Sequence, residues 1–466
     1  MLYQKLDQKE NKTKSKHQID NLFKSSTNKE RSEKNASQND LSINEMRNDI
    51  NDSPEKAKKS YTFILFASLF SNMMKYYDFT IYSVFAALIG NVFFPEYSSS
   101  ARLMLSYSVF AVGFIGRPFG GFLFGYIALR FSKRRALIFA SLMMSLTTMA
   151  IGFLPSYERL GIYSSILLIV LRIVQGVCVS GEGANVAVYV LENVKSLKRG
   201  YAMGIVHASN IAGTVVGTII GIIAFRIDNV NGWRHAFIFG GILSLVGLIL
   251  RMRIPVKSEH ENLSSLSLWY HIKLQWKKVV LVILTSGFAA SIVYIGKSYM
   301  NTMFANKYDS LDIGMKYTFY TSLLTMLIMP LAGKMNDNFD PVKILKNTTL
   351  VSFILIVPMF ILFQSDFFII EYAAILTFAI ISACIATTSY LFCASIFSSA
   401  SRFSLVSVSY NVGAAVFGGT TPVISEYLTR STNLVFAPGF YIAFNALCLL
   451  LYLAFYGKIN LYCPEE

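Results

Sequence analysis

The chain has 466 residues, of which 54% are hydrophobic, 14% aromatic and only 15% charged, and its mean hydropathy is +0.48. Soluble domains carry about a quarter of their residues as charges, so this balance points to lipid as the main solvent and leaves no room for a large soluble catalytic domain. The formal net charge is +15, but the basic residues punctuate apolar runs instead of forming a stripe, which argues against nucleic-acid binding.

Residues 1–59 are rich in Lys, Asn, Ser, Asp and Glu. Such a segment buries too little apolar surface to offset the entropy of ordering, so it reads as a disordered cytoplasmic N-terminal segment. It lacks the short apolar core and cleavage site of a signal peptide, and the mature chain is expected to keep it. From Tyr61 onward apolar runs long enough to cross a bilayer alternate with short polar breaks. The predicted spans are 60–88, 104–127, 136–154, 162–190, 202–225 and 234–252, then 279–300, 316–333, 347–364, 369–396, 404–426 and 434–457. The fold class is therefore all-α and polytopic, with about twelve transmembrane helices. Residues 60–252 form an N-terminal six-helix bundle, 253–278 a cytoplasmic connection, 279–457 a C-terminal six-helix bundle and 458–466 a cytoplasmic tail.

With the N-terminus inside, the inner connections hold 18 Lys and Arg residues against 7 in the outer ones. That asymmetry satisfies the positive-inside rule and places both termini in the cytoplasm of a cell whose inner (plasma) membrane holds the protein. The five cysteines, Cys178, Cys384, Cys393, Cys448 and Cys463, form no CxxC or Cys/His cluster. They read as small buried hydrophobes, with no disulfide framework and no metal site.

The two halves repeat one another. Gly125 to Arg135 follows the second span and Gly333 to Lys343 follows the eighth; each opens with Gly, places Phe six residues later (Phe131, Phe339) and ends basic. Two related bundles are what this suggests. Gly116/Gly120, Gly121/Gly125 and Gly213/Gly217/Gly221 repeat at four-residue spacing, which sets small residues on one helix face and lets backbones approach closely in lipid.

Charges at membrane depth are costly and each needs a reason. The spans hold Lys75 and Asp78 in the first, Arg117 in the second, Arg172 and Glu182 in the fourth and Lys297 near the outer end of the seventh. The functional reading is a central cavity in which Arg117 or Arg172 meets a solute carboxylate, beside Tyr77 and Gln175. Asp78 or Glu182 would then take up and release a proton. The bland alternative is that Lys75 and Asp78, one turn apart, neutralise each other. Lys297 reads as a lysine that snorkels to the interface. His207 and His235, near span ends, read as satisfied interfacial histidines. No GxxxxGK[ST] loop and no nucleophile–base constellation is present, so neither an enzyme nor a cofactor is expected.

The run Asn72-Met73-Met74-Lys75-Tyr76-Tyr77-Asp78-Phe79, followed by Tyr82, resembles the first-span signature of the metabolite:proton symporters of the major facilitator superfamily. Gly113 to Gly121 is similar to their second span, and Leu171 to Gly176 with Ser180-Gly181-Glu182 to their fourth. The likeness continues through Gly232-Trp233-Arg234 and Arg251-Met252-Arg253, and returns at Ser409 to Gly413 and Phe417 to Pro422. Within that family the proline/betaine carriers are the nearest likeness. The resemblance implies a major facilitator fold and monomeric, proton-coupled uptake of a small zwitterionic or carboxylated solute by alternating access. It adds Asn411 to the substrate-binding candidates and implies gating contacts at Arg130 and Asp337. The chain departs from the pattern where Lys75 replaces an acidic residue, Tyr76 a Trp, and Leu129 and Ser132 the acid and glycine of the first inter-span motif. It has no long C-terminal coiled coil, so osmotic sensing through such an extension is not carried over from the resemblance. An exporter of the same fold, or a sensor or scaffold derived from a transporter and docking a partner through residues 1–59, are the competing expectations.

Overall fold

The computed structural model describes residues 54–130, 133–180, 198–252, 265–397 and 399–456, and every regular element among them is helical. The first half comprises α1 (Pro54–Val84), α2 (Ala86–Phe93), α3 (Ser99–Arg130), α4 (Lys133–Phe153), the single turn α5 (Tyr157–Leu160), α6 (Ile162–Ser180), α7 (Arg199–Ile227) and α8 (Gly232–Met252). In the second half follow α9 (Ser265–Leu274), α10 (Trp276–Tyr294), α11 (Met300–Lys307), α12 (Leu311–Asn338), α13 (Pro341–Leu362), α14 (Phe368–Ser395), α15 (Ser399–Gly413), α16 (Thr421–Thr432) and α17 (Ala437–Tyr456). A π-helical turn, Ile295–Tyr299, joins α10 to α11, and another, Ala414–Gly419, joins α15 to α16.

Local chemistry sets several boundaries. Asp340 accepts a hydrogen bond from Val342 N–H at 3.0 Å and precedes Pro341, so α13 starts with a side-chain cap and a proline whose missing N–H costs nothing there. Asp228 closes the turn after α7 by accepting from the Val230 and Asn231 N–H groups, both at 2.9 Å. Those bonds, that from Asn231 first, hold its carboxyl below the usual carboxylate range. α1 reaches back to Pro54, six residues before the expected start of the first span, and proline suits a first helical position. A helix, α9, also stands inside the stretch expected to be a plain connection.

Among the described residues eight helices are long and apolar enough to cross a membrane, α6, α7, α8 and α10 continued through α11 among them. α12 carries Thr318, Thr321 and Thr325 along its length, and their hydroxyls bond back to the carbonyls of Gly314, Tyr317 and Thr321 at 2.7–3.1 Å. Each hydroxyl is thus satisfied within its own helix and can sit away from water.

From Leu65 onward the described helices pack as one unit around two apolar cores. One joins Phe93, Phe110, Trp233 and Phe237 of the first half; the other joins Phe288, Phe304, Phe360, Phe378 and Phe397 of the second. The expected glycine faces operate as close contacts. Gly116 lies against the Ile173 carbonyl of α6, Gly213 against the Met73 carbonyl and Gly217 against Thr80 of α1. Between the halves, Gly200 and Gly204 of α7 meet Gly333 and Met329 of α12 so closely that a Cβ on any of the glycines would collide with backbone.

Candidate solute site

Two polar groups of very different character occupy the interior. The first is an ion pair with a fully engaged carboxylate, in which only Arg172 Nε and Nη2 have no hydrogen-bond partner among the described residues. Asp78 of α1 forms a 3.3 Å ion pair with Arg172 of α6, and both side chains are 1% exposed. Thr148 of α4 donates to Asp78 Oδ1 at 2.8 Å and Gln175 Nε2 donates to the same oxygen at 3.0 Å. Arg172 Nη1 in turn donates to Gln175 Oε1 at 2.8 Å, with its guanidinium carbon 3.7 Å from the centre of the Tyr82 ring. A buried charge needs a partner and hydrogen bonds on its remaining atoms, and Asp78 has both. Arg172 and Gln175, three apart on α6, share one face, which lets both reach α1.

The second group surrounds a cavity between the halves, lined by Tyr76, Arg117, His207, Asn210, Tyr294 and Tyr410, with small apolar residues of α10 beside them. Arg117 Nη2 donates to the Tyr294 hydroxyl at 3.5 Å, and its guanidinium lies over the Phe114 ring at 3.9 Å. Lys297, in the π-helical turn and 2% exposed, holds Nζ 4.0 Å from the Tyr294 ring centre and 4.7 Å from that of Tyr76. That ammonium has no hydrogen-bond partner among the described residues, and neither have Arg117 Nε and His207 Nε2. The His207 ring stacks 4.7 Å from Tyr390, which meets Tyr410 edge to face at 5.2 Å. Asn72 of α1 hydrogen-bonds Asn210 and Ser209 and so fixes the neighbouring face of α7. The described cavity lining thus carries the Arg117 guanidinium, polar side chains and tyrosine rings and no carboxylate, with the Lys297 ammonium packed against two of those rings.

The halves also touch at both ends of this cavity. Beyond the cavity toward Val84, Ser83 donates to Ser298 at 2.6 Å, Asn301 to the Val84 carbonyl at 3.1 Å, and Tyr107 shares a 2.5 Å bond with Thr302. Arg226 and Asp312 add a two-pronged pair at 3.2 and 3.3 Å farther out. At the opposite end Asp337 of α12 accepts from the Gly200 and Tyr201 N–H groups at 2.7 and 3.0 Å. It caps the first turn of α7 from the other half of the chain.

Of the residues singled out in the sequence, Arg117 lines the cavity, while Asp78, Arg172 and Gln175 form the ion-pair network. Tyr77 points away, donating to the Ala236 carbonyl at 2.8 Å against α8; its neighbour Tyr76 faces the cavity instead. Asn411 donates to the Ser407 carbonyl of its own helix at 2.8 Å, and Tyr410 beside it does the lining. Glu182 and the side chain of Arg130 lie outside the described residues. Asp78 turns to Arg172 rather than to Lys75, which lies on a separate small cavity with Ser71, Ser141 and Cys178. Two expectations are corrected. Lys297 does not snorkel, because the π-helical turn and the Tyr76 and Tyr294 rings hold it inside. His207 is no interfacial histidine: it is 5% exposed and lines the central cavity. Sequence reasoning missed Tyr294, Asn210 and Tyr410 altogether; their one available signal was a polar or aromatic residue amid small ones on a helix face.

The sequence profile of the Major Facilitator Superfamily matches residues 64–418. The chain belongs to the major facilitator superfamily. As a member of that superfamily it is a multi-pass membrane transporter of small solutes and not an enzyme. The proline/betaine transporter of Escherichia coli (strain K12) is 26% identical to it over 411 residues, covering 83% of this chain and 81% of that protein. The proline/betaine transporter of Salmonella typhimurium has the same identity and coverage. Among solved structures, a D-xylose-proton symporter superposes with a TM-score of 0.67 at 19% identity, covering 87% of this chain and 98% of that one. This superfamily member thus shares its fold with a D-xylose-proton symporter and its sequence likeness with proline/betaine transporters.

Proposed function

We propose that this protein takes up a small zwitterionic or carboxylated solute together with protons, by alternating access of the central cavity. The single observation that carries the reading is Arg117, a guanidinium on the cavity wall with Nε unpartnered among the described residues. A carboxylate is the group that a planar, always-charged guanidinium binds best. The names of the bacterial relatives, proline/betaine transporters, agree with a solute bearing one.

In this reading residues 60–252 and 279–457 are the two bundles that rock about the cavity, joined by 253–278. Asp337, with Arg130 of the matching motif, gates the end rich in Lys and Arg. The positive-inside count puts that end, and with it both termini, in the cytoplasm of an inner-membrane protein working as a monomer. Asp78 is the proton-coupling carboxylate, with Glu182 as a second, and the Arg172 and Gln175 side chains hold it in place. Tyr77 and Asn411 act indirectly, by presenting Tyr76 and Tyr410 to the solute.

The test is exchange of labelled solute across proteoliposomes carrying Arg117→Ala or Arg117→Lys, with insertion checked by protease protection. A charge-assisted hydrogen bond contributes about 1.5–3 kcal/mol, so removing the guanidinium should weaken solute binding by about ten- to hundredfold. Lysine at that position should restore part of it. Unchanged exchange in Arg117→Ala would remove the cavity from the account.

A further inference from the structure

The cavity's aromatic residues and the lysine packed against them narrow the solute of that reading from zwitterionic or carboxylated to anionic, a step that rests on this cavity being the solute site. Rings of tyrosine facing one another are the surroundings in which a quaternary ammonium is recognised, by attraction to the ring faces. Here such a place exists between Tyr76 and Tyr294, and it is already filled. The Lys297 ammonium sits 4.7 Å from one ring centre and 4.0 Å from the other. It is 2% exposed and has no hydrogen-bond partner among the described residues, and the two ring faces are what it packs against. Arg117, bonded to the hydroxyl of the same Tyr294, places a second positive charge beside it.

We propose that Lys297 is a specificity-determining residue: a tethered cation that occupies the aromatic cage, excludes solutes bearing their own ammonium head and reserves the site for anions. Charge and space both lead there. A zwitterion such as a betaine would bring a third cation to a cavity whose described lining has no carboxylate, and would find the rings covered. An anion would meet Arg117 and Lys297 together, and would compensate an ammonium that is buried without a counter-charge among the described residues. The π-helical turn matters because its wider winding shifts the face that Lys297 presents relative to the rest of α10.

The consequence is an unusual gain of function. Removing the lysine leaves the Tyr76 and Tyr294 faces free for a trimethylammonium group and Arg117 free for a carboxylate. Glycine betaine binding should be measured on the purified full-length protein, wild type against Lys297→Ala and Lys297→Ser, with monodispersity checked for each. The wild type should show no saturable binding, and the variants should acquire it with at least a tenfold gain in affinity. A wild type that binds glycine betaine as tightly as the variants, or folded variants that fail to acquire it, would overturn the assignment. Adding Arg117→Ala to Lys297→Ala separates this from the broader reading. Loss of the acquired binding supports both; its retention leaves the tethered cation standing and shows that Arg117 is not the carboxylate anchor.

Discussion

At the scale of single residues the interior divides into charges that are matched and charges that await a partner. Asp78 and Arg172 are matched, with Thr148 and Gln175 completing the carboxylate's hydrogen bonds. Breaking such a pair on one side strands the other charge, a loss of about 3–5 kcal/mol, whereas removing both partners costs far less. Asp78→Asn and Arg172→Met should each lower the thermal unfolding midpoint in detergent, and the double variant should recover most of the fall. If the double variant is as unstable as the sum of the singles, the pair is not the unit described here. The sequence displayed both residues as intramembrane charges but not their partnership, because ninety-four positions separate them and the nearer cation, Lys75, offered a local alternative. Of the charges unmatched among the described residues, Arg117 lines the cavity and Lys297 packs against two of its tyrosines. Lys297 was legible as a lysine within an apolar run; its depth was not, since hydropathy cannot register a π-helical turn or the two tyrosines that roof it.

At the scale of elements, α7 and α12 form the seam between halves, and they do so through glycine. The Gly200–Gly333 approach leaves no room for a Cβ, and Asp337 caps α7 across the same seam. The spacing of small residues announced close helix packing, and the duplicated motif announced that Asp337 would matter. Neither said that the carboxylate would serve as the cap of a helix in the opposite bundle, because that depends on where α7 begins. A Gly200→Leu substitution should wedge this end open. In protein carrying Ile211→Cys on the cavity wall, a membrane-impermeant maleimide should label faster from the side nearest Asp337. Asp337→Ala should act in the same direction but more weakly, since a lost cap contributes about 0.5–2 kcal/mol. Labelling that stays slow in both variants would mean that this seam does not close the cavity. A one-residue offset also separates expectation from structure at Tyr77 and Asn411. Each belongs to the right turn of the right helix, yet an α-helix rotates about 100° per residue, so the neighbour does the lining.

At the scale of the whole molecule, the architecture was open to reading because lipid leaves the chain few choices. Apolar runs of spanning length, breaks rich in Lys and Arg on alternate sides and a repeated loop motif all converge on paired helical bundles. Chemistry was less legible, because a transporter has no nucleophile or metal to betray its site; it has only which side chains converge after folding. What converges between the halves is a wall of tyrosines with Arg117 among them and Lys297 against two of the rings, with the halves hydrogen-bonded to each other through Ser83–Ser298 at one end and through Asp337 at the other. The account therefore makes the protein a carrier whose solute supplies the negative charge that the described wall lacks, moved by the proton gradient.

The most direct measurement is uptake into proteoliposomes across labelled α-ketoglutarate, citrate, proline, glycine betaine and lysine, with and without an imposed pH gradient. The account predicts accumulation of an anionic carboxylate that requires the gradient and collapses with a protonophore, while glycine betaine and lysine stay out. Accumulation of none of the five by folded, correctly inserted protein, accumulation of glycine betaine or lysine, or accumulation indifferent to the gradient, would contradict it.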